Sequence, residues 1–315
     1  MKEPAGSRHL VDPELLPLLD AFPTVTITAE NLAELRARDL PFPPVGDCGV
    51  ELQERMIGGP HGSPDIPVRI YRPREATGPL ACIYHIHGGG FVGGSTREVE
   101  FLHRPMAAEL GCVIVTADYR LAPETNFPWN LEDCYAGLAW TFANATELGI
   151  DSSRIGVMGE SAGGGLAAAL ALLARDRREY RLAFQHLIYP MLEDRTCVAE
   201  CNRHAGEHIW TRHNNRFGWT ALLGREPGSE DVSPYAAPAR AQLLEGLPPT
   251  FISTGQLDLF VDEDIDFAHR LIRAGVPTEL HVWPGAFHGF DLMPGVAVSD
   301  AAQRASRAAL ARFLK

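Results

Sequence analysis

The feature that most constrains this chain is the pentapeptide Gly159-Glu160-Ser161-Ala162-Gly163, set between the apolar run RIGVM and the Ala/Leu-rich stretch GGLAAALALLARDRR. A serine at a sharp strand-to-helix turn sits in a strained backbone, and the flanking glycines remove side chains that would collide with the turn. Such a serine projects its Oγ above a sheet, and the helix starting behind it brings free N–H groups and a partial positive charge. Small-residue turns also occur where only packing is at stake, so the surrounding sequence has to decide.

From about residue 66 onward, short β-rich runs (IPVRIYRP, ACIYHIH, CVIVTADY, RIGVMG, FQHLIYP, PTFISTG, ELHVWP) alternate with helical patterns near 97–110, 130–148, 162–176, 263–274 and 300–313. Several runs are apolar nearly throughout, as strands covered on both faces must be. The expected fold is α/β, with a mostly parallel central sheet flanked by helices and its ligands at the carboxyl ends of the strands. Residues 1–50 and 192–235 break the alternation, being proline-interrupted in the first case and rich in Cys, His, Trp and Asn in the second. They are expected to form a helical cap over a catalytic domain made of 51–191 and 236–315.

Three further segments complete a constellation. His87-Gly88-Gly89-Gly90 closes the strand ACIYHIH, where glycines let backbone N–H groups of Gly88 and Gly89 approach a substrate oxyanion. A phosphate cradle is the rival for such a loop, but neither Lys-Ser/Thr nor Gly-x-Gly-x-x-Gly spacing follows. A serine is a weak nucleophile until a base takes its proton, and His288, after the strand ELHVWP and a Pro-Gly turn, is placed for that role. Asp258, in the loop after PTFISTG, is placed to orient it. The acidic residues that follow (Asp262, Glu263, Asp264, Asp266) open a helix, whose first turn favours carboxylates through the helix dipole. The chain order Ser, Asp, His distinguishes this arrangement from other serine-hydrolase orders.

The motifs HGGG (87–90), DYRLAPE (118–124), GESAGG (159–164), LDLFVDE (257–263) and FHGF (287–290) together resemble the hormone-sensitive-lipase-like bacterial carboxylesterases, of the α/β-hydrolase fold. The resemblance runs from about residue 65 to the end. It implies Ser161 as nucleophile, His288 as base, Asp258 as acid, an oxyanion hole of the Gly88, Gly89 and Ala162 N–H groups, and structural roles for Asp118, Arg120 and Glu124. It implies hydrolysis of short- to medium-chain carboxylic esters with no metal or organic cofactor. The family usually reads Asp-Pro-Leu-Arg-Asp-Glu where this chain has Asp258-Leu259-Phe260-Val261-Asp262-Glu263. Phe91, Trp210 and Phe217 are candidates to line a substrate pocket, with Phe127 and Trp219 beside them, and packing of the cap explains each equally well.

Two other functions are weighed against this one. His204-Ala205-Gly206-Glu207-His208 matches a zinc-peptidase pattern, with Cys197, Cys201 and His213 nearby, but Gly206 weakens the helix that would have to present both histidines. A ligand-binding protein of this fold is the other rival; the receptor-like members that resemble this family lose the catalytic histidine, whereas His288 is present. The net charge of -12 disfavours nucleic acid or an anionic membrane as partner. The acidic, proline-containing N-terminal stretch has no signal-peptide core, no segment is long and apolar enough for a membrane anchor, and the scattered cysteines fit buried free thiols, so a cytoplasmic protein is expected. Its partner is expected to be a small-molecule ester, and a homodimer stays open.

Overall fold

The computed structural model describes residues 6–38, 45–198 and 202–315. Eight strands form one sheet in the order β1-β2-β4-β3-β5-β6-β7-β8: β1 (Val50–Ile57), β2 (Ile66–Pro73), β3 (Leu80–Ile86), β4 (Val113–Ala117), β5 (Ile150–Glu160), β6 (Gln185–Ile188), β7 (Thr250–Gly255) and β8 (Thr278–Trp283). From β4 onward every neighbouring pair is parallel, while β1–β2 and β2–β4 are antiparallel. β3, β4 and the second half of β5 are buried almost throughout, which is why they read as unbroken apolar runs. β1 is the strand the periodicity does not reveal. It lies at the edge, with Glu51 and Glu54 at exposed or half-exposed positions, and charged residues on an edge strand protect it from pairing with other chains.

The helices are α1 (Leu16–Ala21), α2 (Leu32–Arg36), α3 (Glu100–Leu110), α4 (Trp129–Ala143), α5 (Ala162–Arg177), α6 (Arg212–Leu223), α7 (Val261–Arg273) and α8 (Ala297–Phe313). Helix α5 is buried from Ala162 through Ala174, which explains its lack of a polar face. Each of its leucines contributes about 1.5–3 kcal/mol by burial. Helix α7 buries Phe267, Ala268 and Leu271 on one stripe. Cys82, Cys112, Cys134 and Cys197 are buried free thiols and Cys48 is partly exposed, while Cys201 lies outside the described residues.

The segment 192–235 contains α6, a helix its polar sequence RHNNRFGWTALL conceals. Thr211 caps it by accepting the Asn214 N–H, and Gly224 ends it in the left-handed conformation. The described N-terminal residues are stitched to this segment by side chains. Asn214 accepts the Ile27 N–H at 2.9 Å and donates to the Val25 carbonyl at 2.8 Å, Thr24 Oγ1 accepts the Ile209 N–H at 3.0 Å, and Glu207 takes both the N–H and the hydroxyl of Ser7.

Candidate active site

Ser161 has φ +56° and ψ −124°, between the end of β5 and the first residue of α5. Its backbone is held from both sides: its N–H donates to the Ile188 carbonyl, and its own carbonyl accepts from Gly165 and Met191. A Cβ on Gly163 would lie 2.1 Å from the Ile86 carbonyl, so the turn has no room for another residue there. The local demand that made the pentapeptide legible is therefore steric.

The three expected side chains meet. His288 Nε2 lies 2.9 Å from Ser161 Oγ, and His288 Nδ1 lies 2.8 Å from Asp258 Oδ2. Asp258 is 1% exposed and its second oxygen accepts the Phe260 N–H at 3.0 Å, so both oxygens are occupied. The loops carrying Asp258 and His288 brace each other: the Leu257 N–H donates to the Ala286 carbonyl and the Gln256 N–H to the Trp283 carbonyl. Substituting Leu259 and Val261 for the family's proline and arginine has left Asp258 in reach of His288. Phe260 stands edge-on to the imidazole at 5.3 Å and Tyr189 packs against it at 4.7 Å.

The glycine loop approaches from the other side. A Cβ on Gly88 would come within 2.9 Å of the Glu160 carbonyl and 3.4 Å of Ser161 Cβ, so only a bare backbone can lie this close. The loop is set by DYRLAPE residues, as the resemblance implies. Asp118 accepts the Thr96 N–H and hydroxyl, the Ala122 N–H donates to the Phe91 carbonyl, Arg120 is paired to Asp133, and Glu124 binds Arg36, which also donates to the Val92 carbonyl. His87 stacks on Tyr119, and burial lowers its pKa, keeping it neutral.

These groups surround a cavity of about 370 Å³ whose walls include Gly88–Gly90, Glu98, Phe101, Tyr189, Trp210 and His288. Of the three aromatic side chains expected in the pocket, Trp210 is in the wall. Phe91 and Phe217 are not: Phe91 is 1% exposed and packs on Trp219, and Phe217 packs with Leu32, Val92, Ala122 and Ala221. Phe127 and Trp219 also belong to the core packing.

The acidic run after Asp258 needs correction. Of the first-turn carboxylates only Asp262 is exposed, and Asp266, one turn on, is exposed as well. Glu263 points inward and accepts the Leu192 and Glu193 N–H groups and the Thr196 hydroxyl, tying α7 to the segment 192–197. Asp264 is fully buried, with the Thr254 hydroxyl beside it but no well-formed hydrogen bond to either oxygen among the described residues. Burial pushes both carboxyls well above their ordinary pKa. Glu160, unassigned from sequence, lies with both oxygens within 2.9 Å of His85 Nε2.

Residues 204–208 form a turn, with Gly206 at φ +75°, so His204 and His208 are not presented on one helical face. Glu207 is taken by Ser7. Among the described residues no group of three His, Cys, Asp or Glu side chains is arranged to hold a metal ion, and no helix is long and apolar enough to cross a membrane.

Comparison with known proteins shows the family. Residues 83–292 match the family model described as alpha/beta hydrolase fold. The chain is 37% identical over 296 residues to the carboxylesterase NlhH of Mycobacterium tuberculosis, covering 92% of each chain. Among solved structures it is similar to a bacterial heroin esterase, with a TM-score of 0.89 and 40% identity over 98% of this chain and 99% of that one. The esterase LipW from Mycobacterium marinum follows, at TM-score 0.83 and 33% identity, covering 98% of this chain and 97% of that one.

Proposed function

The chain belongs to the hormone-sensitive-lipase-like family of α/β-hydrolase carboxylesterases, and from that premise we propose that it cleaves short- to medium-chain carboxylic esters through an acyl-enzyme on Ser161. It is a carboxylic ester hydrolase. The observation that carries the mechanism is the unbroken relay Ser161 Oγ, His288, Asp258 at 2.9 and 2.8 Å.

In this mechanism Asp258 accepts the Nδ1–H of His288 and so fixes the tautomer whose Nε2 takes the serine proton. Ser161 attacks the ester carbonyl, and the N–H groups of Gly88, Gly89 and Ala162 hold the oxyanion. His288 then protonates the leaving alcohol, and water repeats the cycle on the acyl group. Residues 1–50 and 192–235 act as a cap over the catalytic domain of 51–191 and 236–315. What supports that division is the stitching of residues 7–27 to 207–214 and the place of Trp210 in the cavity wall. The substrate is a small uncharged or cationic ester, met in the cytoplasm.

The test is an organophosphate, whose mass increment should map to the peptide holding Ser161, together with Ser161→Ala. That variant should lose turnover of 4-nitrophenyl acetate by on the order of a millionfold, at an unchanged thermal midpoint. A label on any other residue would overturn the assignment.

A further inference from the structure

The cavity beside Ser161 carries an imbalance of charge that ester hydrolysis does not call for. Two carboxylates, Glu98 and Glu160, stand in its wall, and among the described residues neither lysine nor arginine does. Glu160 is held at both oxygens by His85. Glu98 is not so held: its one hydrogen bond comes from the Ser95 hydroxyl at 3.1 Å, and among the described residues no cation pairs with it. Arg97, next to it in sequence, is exposed and absent from the cavity wall, while Arg69 and Arg104, the basic residues close by on β2 and α3, are engaged by Glu100. Half-buried, Glu98 has its pKa raised, first by burial and further by the charge of Asp118. The same wall holds the rings of Phe101, Tyr189 and Trp210.

A carboxylate left without a counter-ion in the cavity that holds Ser161, whose wall also carries three aromatic side chains among its glycines and aliphatic residues, is a costly arrangement for an uncharged ester. It suits a positive group, which a carboxylate attracts by charge and aromatic faces attract through their quadrupoles. We propose that Glu98 selects esters bearing an ammonium group on the acyl or alcohol part, with Phe101, Tyr189 and Trp210 facing the cation. The proposal rests on the esterase reading of Ser161 and narrows its substrate class. The overall charge of -12 favours the approach of the same substrates.

The test compares wild type with Glu98→Gln, a change that keeps an oxygen for Ser95, at pH 8 where the carboxyl is ionised. The probes are (2-acetoxyethyl)trimethylammonium against 3,3-dimethylbutyl acetate, its uncharged isostere, and ethyl (trimethylammonio)acetate against ethyl 3,3-dimethylbutanoate. The quantity read is the ratio of kcat/KM, cationic over neutral, so any loss shared by both esters cancels. Wild type should favour the cationic member in at least one series, and Glu98→Gln should lower that ratio about fivefold, the size expected for loss of a partly desolvated ion pair with the aromatic rings left in place. A ratio unchanged by the substitution in both series overturns the proposal. Where a probe is turned over too slowly to measure, inhibition of 4-nitrophenyl acetate hydrolysis by choline against 3,3-dimethylbutanol decides, equal inhibition counting against it. Should Glu98→Gln not fold, the wild-type preference for choline must weaken in 0.5 M salt, and one indifferent to salt overturns the proposal. Failure to hydrolyse any ester, with no organophosphate label on Ser161, would instead remove the esterase reading itself.

Discussion

The two sides of the cavity are built by different means. Below, Ser161, Asp258 and His288 hang from the ends of β5, β7 and β8, and the chain around them is fixed by backbone hydrogen bonds between neighbouring loops. Above, the residues around Trp210 are held chiefly by side chains reaching across the sequence, Asn214 to Val25 and Ile27, Glu207 to Ser7 and Thr24 to Ile209, with one long-range backbone bond from the Gly206 N–H to the Leu257 carbonyl. Backbone-set geometry tolerates little change at the reacting atoms. Side-chain-set geometry can be altered one residue at a time, which suits the side of a site that chooses among substrates.

The largest effect that could break this division is on the lower side. Asp258→Asn should reduce turnover by about four orders of magnitude, because the amide no longer fixes the histidine tautomer, and leave the thermal midpoint nearly unchanged. Near-normal turnover would mean that another carboxylate orients His288. On the upper side, Trp210→Ala should change the octanoate-to-acetate rate ratio about tenfold while retaining the chemistry. A cap role for Trp210 would make its loss shift acyl-length preference more than stability. The structure has it 8% exposed with its Nε1–H on Asn215, so a loss of about 3 kcal/mol accompanies the change in preference, and Trp210→Phe, which keeps the packing, separates the two. A millionfold loss in Trp210→Ala would place the residue among the reacting groups.

The smallest effect sharpens the contrast within the lower side itself. Asp264 lies six residues from Asp258 and is as deeply buried, yet has only the Thr254 hydroxyl beside it and no well-formed hydrogen bond among the described residues. Its raised pKa means that the folded state holds the proton more tightly than the unfolded chain. The favourable contribution is thus complete below the unfolded value near 3.8 and is lost as pH rises through the folded one. Asp264→Asn is therefore expected to leave stability at pH 4 alone and to raise the thermal midpoint by about 2–4 °C at pH 8, the equivalent of about 1 kcal/mol. A lower midpoint at pH 8 would show that the carboxylate caps α7 after all.

What was legible in the sequence follows the same line. The triad and the glycine loop announce themselves because close backbone approach excludes all but glycine, and because the strands that carry them are apolar on both faces. β1 was missed because an edge strand, VELQERMI, mixes charge into its alternation. The helical cap expected at 192–235 carries no bounds for α6, because Asn, His, Gly and Thr are weak helix formers and tertiary contacts decide its fate. Glu263 and Asp264 read as ornaments of a helix dipole because burial is a property of the assembled layers, and nothing in DEDID distinguishes the outward carboxylates from the inward ones. Glu98 carried no sequence signal beyond its distance from HGGG; its meaning depends on which cations fail to reach it.

The bond between His288 and Ser161 joins residues 127 positions apart, and Asp258 enters from a third strand end. A chain with β5 and α5 in place but β7 and β8 still undocked holds its serine without a base. Contacts of such separation form late, since the loops between them must close before the contact gives anything back. Recovery of hydrolysis after dilution from denaturant should thus lag behind recovery of helical signal, and catalysis becomes a clock for the last step of the sheet.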